Sequence, residues 1–301
     1  AANYAANYAA TYAATYAANY GANCDALLDR FEWASRGAGD IRWNADVPVR
    51  VLVTGFDPFF LDREIGQSNP SGLAALLLDD RVLSANGNRA QVQSMLFPVR
   101  FADFDAGQVE ALLGPLLADV DLLITISMGR DGFDLERFPG RRRSATAPDN
   151  RNVLTGADAD NPLIPLLGDA PLPGPEFVEF SLPAAAMTVV DVPYPVRDNR
   201  TVTTLERGTF DAESLEALQD QTAVQGGGGG YLSNEISFRT VRLARARDLG
   251  VAVGHLHTPR IAGFDQDALV AITGQVEQLV IAAAGAVSRS SPDRRSGSSA
   301  P

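Results

Sequence analysis

The sequence predicts an α/β fold: an open, mainly parallel, twisted sheet with helices on both faces, giving three layers. Three observations predict it. Short apolar stretches alternate with stretches of helical spacing across residues 48–287, and such alternation builds parallel sheets through crossover helices. The stretch 121–127 (DLLITIS) is apolar after its first residue except for the small Thr125 and Ser127, the pattern of a strand buried on both faces. The 301 residues are 46% hydrophobic and 21% charged, enough to bury one sizeable core with extensions at either end.

Residues 1–24 repeat a tetrapeptide (AANY, AANY, AATY, AATY, AANY, GANC). Tyrosines four apart would fall on one slowly drifting stripe of a helix. The stretch reads as a low-complexity tail, with an adhesive or modified segment as the alternative. Residues 25–47 read as a short helix and linker. The core domain, 48–287, opens with a strand at 49–54 and a helix at 69–79, with Asn69 as its cap and Pro70 at its first position. A strand at 92–98 follows, then a helix over 103–118 with Val109, Leu112, Leu113 and Leu116 on one face. After the strand at 121–127, a further strand is expected at 187–192, a helix at 233–248, a strand at 251–257 and a helix at 265–287. Residues 288–301 are polar and expected to be disordered.

Composition excludes several functions. The net charge of −12 argues against nucleic acid or an anionic membrane as partner. All 25 basic residues are arginine, so neither a Schiff-base nor a P-loop lysine is available. The single cysteine, Cys24, lies in the repeat. The core therefore contains no thiol, and no cysteine-based metal site can form. A thiol-free core and a chain starting at Ala1 favour an exported protein. No apolar stretch is read as a membrane span.

Chemistry concentrates where strands end. The two histidines, His255 and His257, lie two apart on one strand and so face the same side. As a metal site they would need further ligands that the sequence does not place; otherwise they are structural, or one is catalytic. Gly226–Gly230 followed by YLSNE lets backbone approach closely and puts Ser233 at a helix start, where amides face outward. Ser233 is either a nucleophile beside an oxyanion site or a helix cap. Glu136 follows the third strand and on its own reads as surface charge.

The order of these pieces resembles pyroglutamyl peptidase I. VLVTGFDPF (51–59) followed by NPS (69–71) is similar to that family's opening. ITISMG (124–129), LERF (135–138), PDN (148–150), GGYLSNE (229–235) and GHLHTP (254–259) resemble its later motifs in the same order. The resemblance implies the pyroglutamyl peptidase fold and hydrolysis of an N-terminal pyroglutamyl or similar small amide, with no cofactor. It places Glu136, Ser233 and His257 at the triad positions, 233 and 257 being 24 residues apart. Phe56 and Phe59 match the lining of the family's substrate pocket, with Tyr231 and Leu232 opposite and Arg130 in the adjoining loop. Ser233 stands where the family has cysteine, Glu235 where it has histidine, and Phe60 and Leu61 where it has two glycines. Segments at about 155–180 and 200–225 have no family counterpart; they would cover the site or build an interface between copies of the chain. An inactive relative that keeps the fold as a binding protein is the second reading.

Overall fold

The computed structural model describes residues 24 and 26–287. The tyrosine repeat before Cys24 and the tail from residue 288 lie outside the described residues. The chain divides at Ile41 into a small and a large unit. In the small unit, residues 26–34 form a helix, α1.

In the large unit, the β-branched, apolar stretch Val49–Phe56 forms β1. It lies between β3 (Asn88–Phe97) and β4 (Leu122–Met128), parallel to both. Beyond β4 comes β12 (Ala252–Thr258), also parallel. β2 (Val82–Ala85) pairs antiparallel with β3 at one edge. At the other, β5 (Phe133–Glu136) runs antiparallel to β12 and β8 (Val196–Asn199) runs parallel to β5. The described residues thus form a seven-stranded, mainly parallel sheet in the order β2-β3-β1-β4-β12-β5-β8. Leu52, Leu122, Leu123 and Ile124 at its centre are fully buried. Helices α2 (Pro70–Leu78) and α7 (Gln266–Ala286) pack together, and α7 also packs on α5 (Ala184–Met187). A second group comprises α3 (Phe101–Asp105), α4 (Gln108–Leu113) and α6 (Leu232–Ala246), with α6 on β4 and β12.

Sequence and structure differ at three elements. The helix expected over 103–118 is broken: Gly107, at φ +80°, separates α3 from α4, and Pro115 precedes a closing 3₁₀ turn at Leu116–Ala118. The strand expected at 187–192 does not form. Met187 ends α5, Val189 is 80% exposed, and β12 already has a partner on both sides. Helix α7, 21 residues long, meets the length and composition of a membrane span that the sequence reading found nowhere. Half of that apolar window is buried against the rest of the fold, the setting of a core helix.

The two unplaced segments have defined structure. The first carries the hairpin β6 (Leu166–Leu167) and β7 (Ala170–Pro171). The second forms an antiparallel sheet, β10-β9-β11, from Thr201–Thr204 (β9), Gly208–Asp211 (β10) and Ala223–Gln225 (β11). Phe138, Phe177, Val202, Ala212, Leu218 and Ala223 share one small core, which fixes this sheet to the chain just beyond β5.

The end of β1 meets the start of α2 backbone to backbone. A Cβ on Gly55 would lie 2.4 Å from the Ser71 carbonyl oxygen and 2.8 Å from Gly72 Cα. Gly55→Ala is therefore expected to lower unfolding free energy by about 1–3 kcal/mol in a denaturant titration. A change within 0.5 kcal/mol would contradict this close contact.

Candidate active site

Adjacent strands bring an acid and a base together. His257 on β12 is register partner to Asp134 on β5, two residues before Glu136. His257 Nδ1 and Glu136 Oε1 are 2.6 Å apart. Glu136 is only 2% exposed and His257 8%, so water scarcely competes for this bond. The other carboxylate oxygen, Oε2, accepts from Asn199 Nδ2 at 2.6 Å, and Asn199 is the register partner of Glu136 on β8. A carboxylate held on both sides fixes the ring. With Nδ1–H donated to Glu136, Nε2 is left as a proton acceptor. Two glycines make room: a Cβ on Gly129 would sit 2.6 Å from His257 Cβ, and one on Gly227 would sit 2.8 Å from Glu136 Oε2.

Ser233 is the second residue of α6, whose N-cap is Tyr231 and has no side-chain cap bond. The cap reading of Ser233 is therefore excluded. Among the described residues nothing hydrogen-bonds its hydroxyl, His257 included. Ser233 and His257 line the same cavity. The start of α6 is pinned from behind. Asn234 brackets Gly140, accepting from its N–H at 2.7 Å and donating to its carbonyl at 2.8 Å. Glu235, 2% exposed, accepts from Arg143 at 2.5 and 2.9 Å and from Arg239 Nε at 2.9 Å. Burial alone would lower the Arg143 pKa, but Glu235 and Asp105 outweigh it and raise it above the ordinary guanidinium value. Glu235 is thus a structural anchor.

Ser233 lies where two cavities meet. One, of about 260 Å³, is lined by Phe56, Phe59, Phe60, Tyr231, Leu232 and Ser233 among others. All four pocket residues read from the sequence at 56, 59, 231 and 232 are here, joined by Phe60, which the sequence marked only as standing in place of a glycine. Phe60 has φ +60°, a conformation that favours glycine and costs about 1–2 kcal/mol for other residues. Its ring stacks edge-on against Phe59 at 4.9 Å. Tyr231 donates its hydroxyl to the Pro148 carbonyl at 2.8 Å, and burial, with Asp149 nearby, raises the phenol pKa far above its usual value. The second cavity, of about 460 Å³, holds Arg130, Glu136, Asn199 and His257, and its far wall is Thr201, Thr203, Thr209 and Gln225 from the β9–β11 sheet. Asn199 and this wall were missed: a lone asparagine and a few threonines in an unplaced segment carry no motif.

His255 has a different role. Its Nδ1 and Nε2 lie 2.8 Å from Thr125 Oγ1 and from Ser127 Oγ. Both nitrogens are engaged, so the His-x-His pair has only one histidine with a nitrogen to offer. Among the described residues no group of three or more His, Cys, Asp or Glu could hold a metal ion.

Comparison with known proteins gives the fold a context. Residues 50–191 match a family model described as the C-terminal domain of PA0049. The uncharacterized protein PA0049 of Pseudomonas aeruginosa is 28% identical over 319 aligned positions, covering 78% of this chain. The chain spans 58% of that relative's length. Among solved structures, a point mutant of pyrrolidone carboxyl peptidase (another name for pyroglutamyl peptidase) from Pyrococcus furiosus is similar at TM-score 0.53 and 20% identity. It is matched over 78% of this chain and 98% of the peptidase. The structures of the same peptidase and its cysteine-free mutant give TM-score 0.51 and 19% identity over 77% and 98%. The fold is therefore that of the pyrrolidone carboxyl peptidases.

His255 makes stability depend on pH. Complete burial, and secondarily the His257 charge, push its pKa well below 6.5, so the folded state holds it neutral. The unfolded chain binds a proton there below about pH 6.5 while the folded one does not. Its contribution is thus fully present above that pH and is lost as pH falls, by up to about 1.4 kcal/mol per pH unit. His255→Gln should flatten this limb of a stability-versus-pH curve; an unchanged slope contradicts the assignment.

Proposed function

We propose that this chain is a serine hydrolase of small amides, with Ser233 as nucleophile, His257 as general base and acid, and Glu136 as the group that orients His257. The observation that carries this reading is the buried 2.6 Å hydrogen bond from His257 to Glu136 at the wall of the cavity that Ser233 lines. A structural histidine would have no need of a doubly held carboxylate beside a cleft.

In this mechanism the Ser233 oxygen attacks the amide carbonyl and its proton passes to His257 Nε2. The developing imidazolium is stabilised by the Glu136 carboxylate beside it. Negative charge forms on the carbonyl oxygen. The first amides of α6 lack intrahelical acceptors, and the helix start favours negative charge there; they are the groups to receive it. His257 returns the proton to the departing amine as the C–N bond breaks. Water then enters, gives a proton to His257, and releases the acid by the same steps. The small apolar cavity beside Ser233 suits the acyl group. The shared fold and motif order favour pyroglutamyl as that group, with N-terminal pyroglutamyl peptides or similar small amides as substrates.

One observation favours a second reading, a binding protein without turnover: the Ser233 hydroxyl and the imidazole make no hydrogen bond. Catalytic contacts often tighten only when substrate binds, and a fluorophosphonate separates the two readings. It should label the native protein at Ser233, labelling should vanish in Ser233→Ala, and it should slow at least a hundredfold in His257→Ala. Absence of labelling in the native protein, with pyroglutamyl anilide hydrolysis appearing only in Ser233→Cys, would favour the binding protein.

A further inference from the structure

The cleft has two chambers of opposite character on either side of Ser233. The smaller is walled mainly by Phe56, Phe59, Phe60 and Leu232. The larger is walled by threonines, a glutamine, glycine backbone and five titratable side chains: Arg130, Asp134, Glu136, Tyr231 and His257. Four of these five are committed. Tyr231 donates to the Pro148 carbonyl. Glu136 and His257 hold each other. Asp134 accepts from Arg197 Nε at 2.7 Å and from its Nη2 at 3.3 Å. Arg130 is exposed and, among the described residues, has no ion pair. By contrast, Arg137, Arg142, Arg143, Arg197 and Arg200 all pair with carboxylates. A chain with 37 acidic side chains to 25 arginines leaves this one guanidinium of the chamber uncommitted.

Polar capacity on the opposite wall is also unspent. Thr203 and Thr209 bond only to each other, at 2.9 Å, which leaves acceptor positions open on their oxygens. The Gln225 side chain has no partner among the described residues. This wall consists of the β9–β11 sheet, the segment that the family resemblance left without a counterpart.

We infer that the larger chamber is a leaving-group subsite for a free α-carboxylate, so that the substrate is a small-acyl amino acid or very short peptide rather than a long chain or a simple amide. The inference rests on the hydrolase reading for its orientation. The acyl group occupies the apolar chamber, the scissile bond lies at Ser233, and the amine side enters the polar chamber. There the carboxylate meets Arg130, whose planar donor fork suits it, and Gln225 and the threonine wall receive the peptide's N–H and C=O groups.

Binding tests this separately from turnover. Ser233→Ala protein is titrated calorimetrically with pyroglutamyl-alanine and pyroglutamyl-alaninamide. Acetyl-alanine and its amide form a second pair that asks less of the acyl chamber. The carboxylate member should bind at least about tenfold tighter in one pair or both, the range of a hydrogen bond to a charged group. Adding Arg130→Ala should close the gap, and Arg130→Lys should restore part of it. Equal affinity within both pairs, no binding of any of the four at millimolar concentration, or a gap that survives Arg130→Ala would overturn the subsite. Carboxylate preference in binding with no hydrolysis of either peptide by the unmutated chain would leave the subsite standing and sink the hydrolase reading instead.

Discussion

The bond between His257 and Glu136 is the constraint around which the site is arranged. Each residue sits on one of two neighbouring antiparallel strands, so their separation is set by the sheet and not by a loop. Burial makes the contact stronger than the same pair would be in water, and hydrogen bonds to charged groups are worth about 1.5–3 kcal/mol. The same burial would make an unpaired Glu136 expensive, which is why Asn199 on the next strand takes the second oxygen. Three strands therefore cooperate to present a single nitrogen, Nε2, to the cleft. The close packing of Gly129 and Gly227 on the pair shows how little the backbone can move without disturbing it.

On the other side of the cleft, helix α6 carries Ser233, which lines the same cavity as His257. Its first turn is tied down by two buried devices, the Asn234 bracket on Gly140 and the Glu235 ion pairs with Arg143 and Arg239. Removing one partner of such a buried pair costs about 3–5 kcal/mol because the other is left uncompensated. The anchor is thus a commitment of the fold, and the glutamate at 235 has no route to the chemistry. Strain at Phe60, a non-glycine residue at φ +60°, lies on the apolar wall, where surrounding contacts hold a conformation that local preference opposes.

Much of this was legible in the sequence because it is carried by local patterns. Apolar strands 49–56, 122–128 and 252–258 announce themselves by run length, and α2 by Asn69 and Pro70. The order of short motifs located Glu136, Ser233 and His257, and the structure brings the elements bearing them to one cleft. What was illegible depends on pairing at a distance. β5 and β8 are four residues each, too short to show periodicity, so Glu136 on its own read as surface charge and Asn199 had no signal. Residues 187–192 have strand-like composition, yet β12 already has β4 and β5 on its two sides. The β9–β11 wall arises from register between segments that contain no recognisable motif.

The proposed chemistry requires Glu136, Ser233 and His257, distant in sequence, to act as one unit. The most direct measurement is a double-mutant comparison of kcat/KM for pyroglutamyl anilide in Ser233→Ala, His257→Ala and the combined variant, each checked for native folding. Groups that act together are strongly non-additive. The prediction is that each single change removes nearly all hydrolysis and that the double variant is little worse than either. Independent, multiplying losses, or a Ser233→Ala protein that hydrolyses at the native rate, would contradict it.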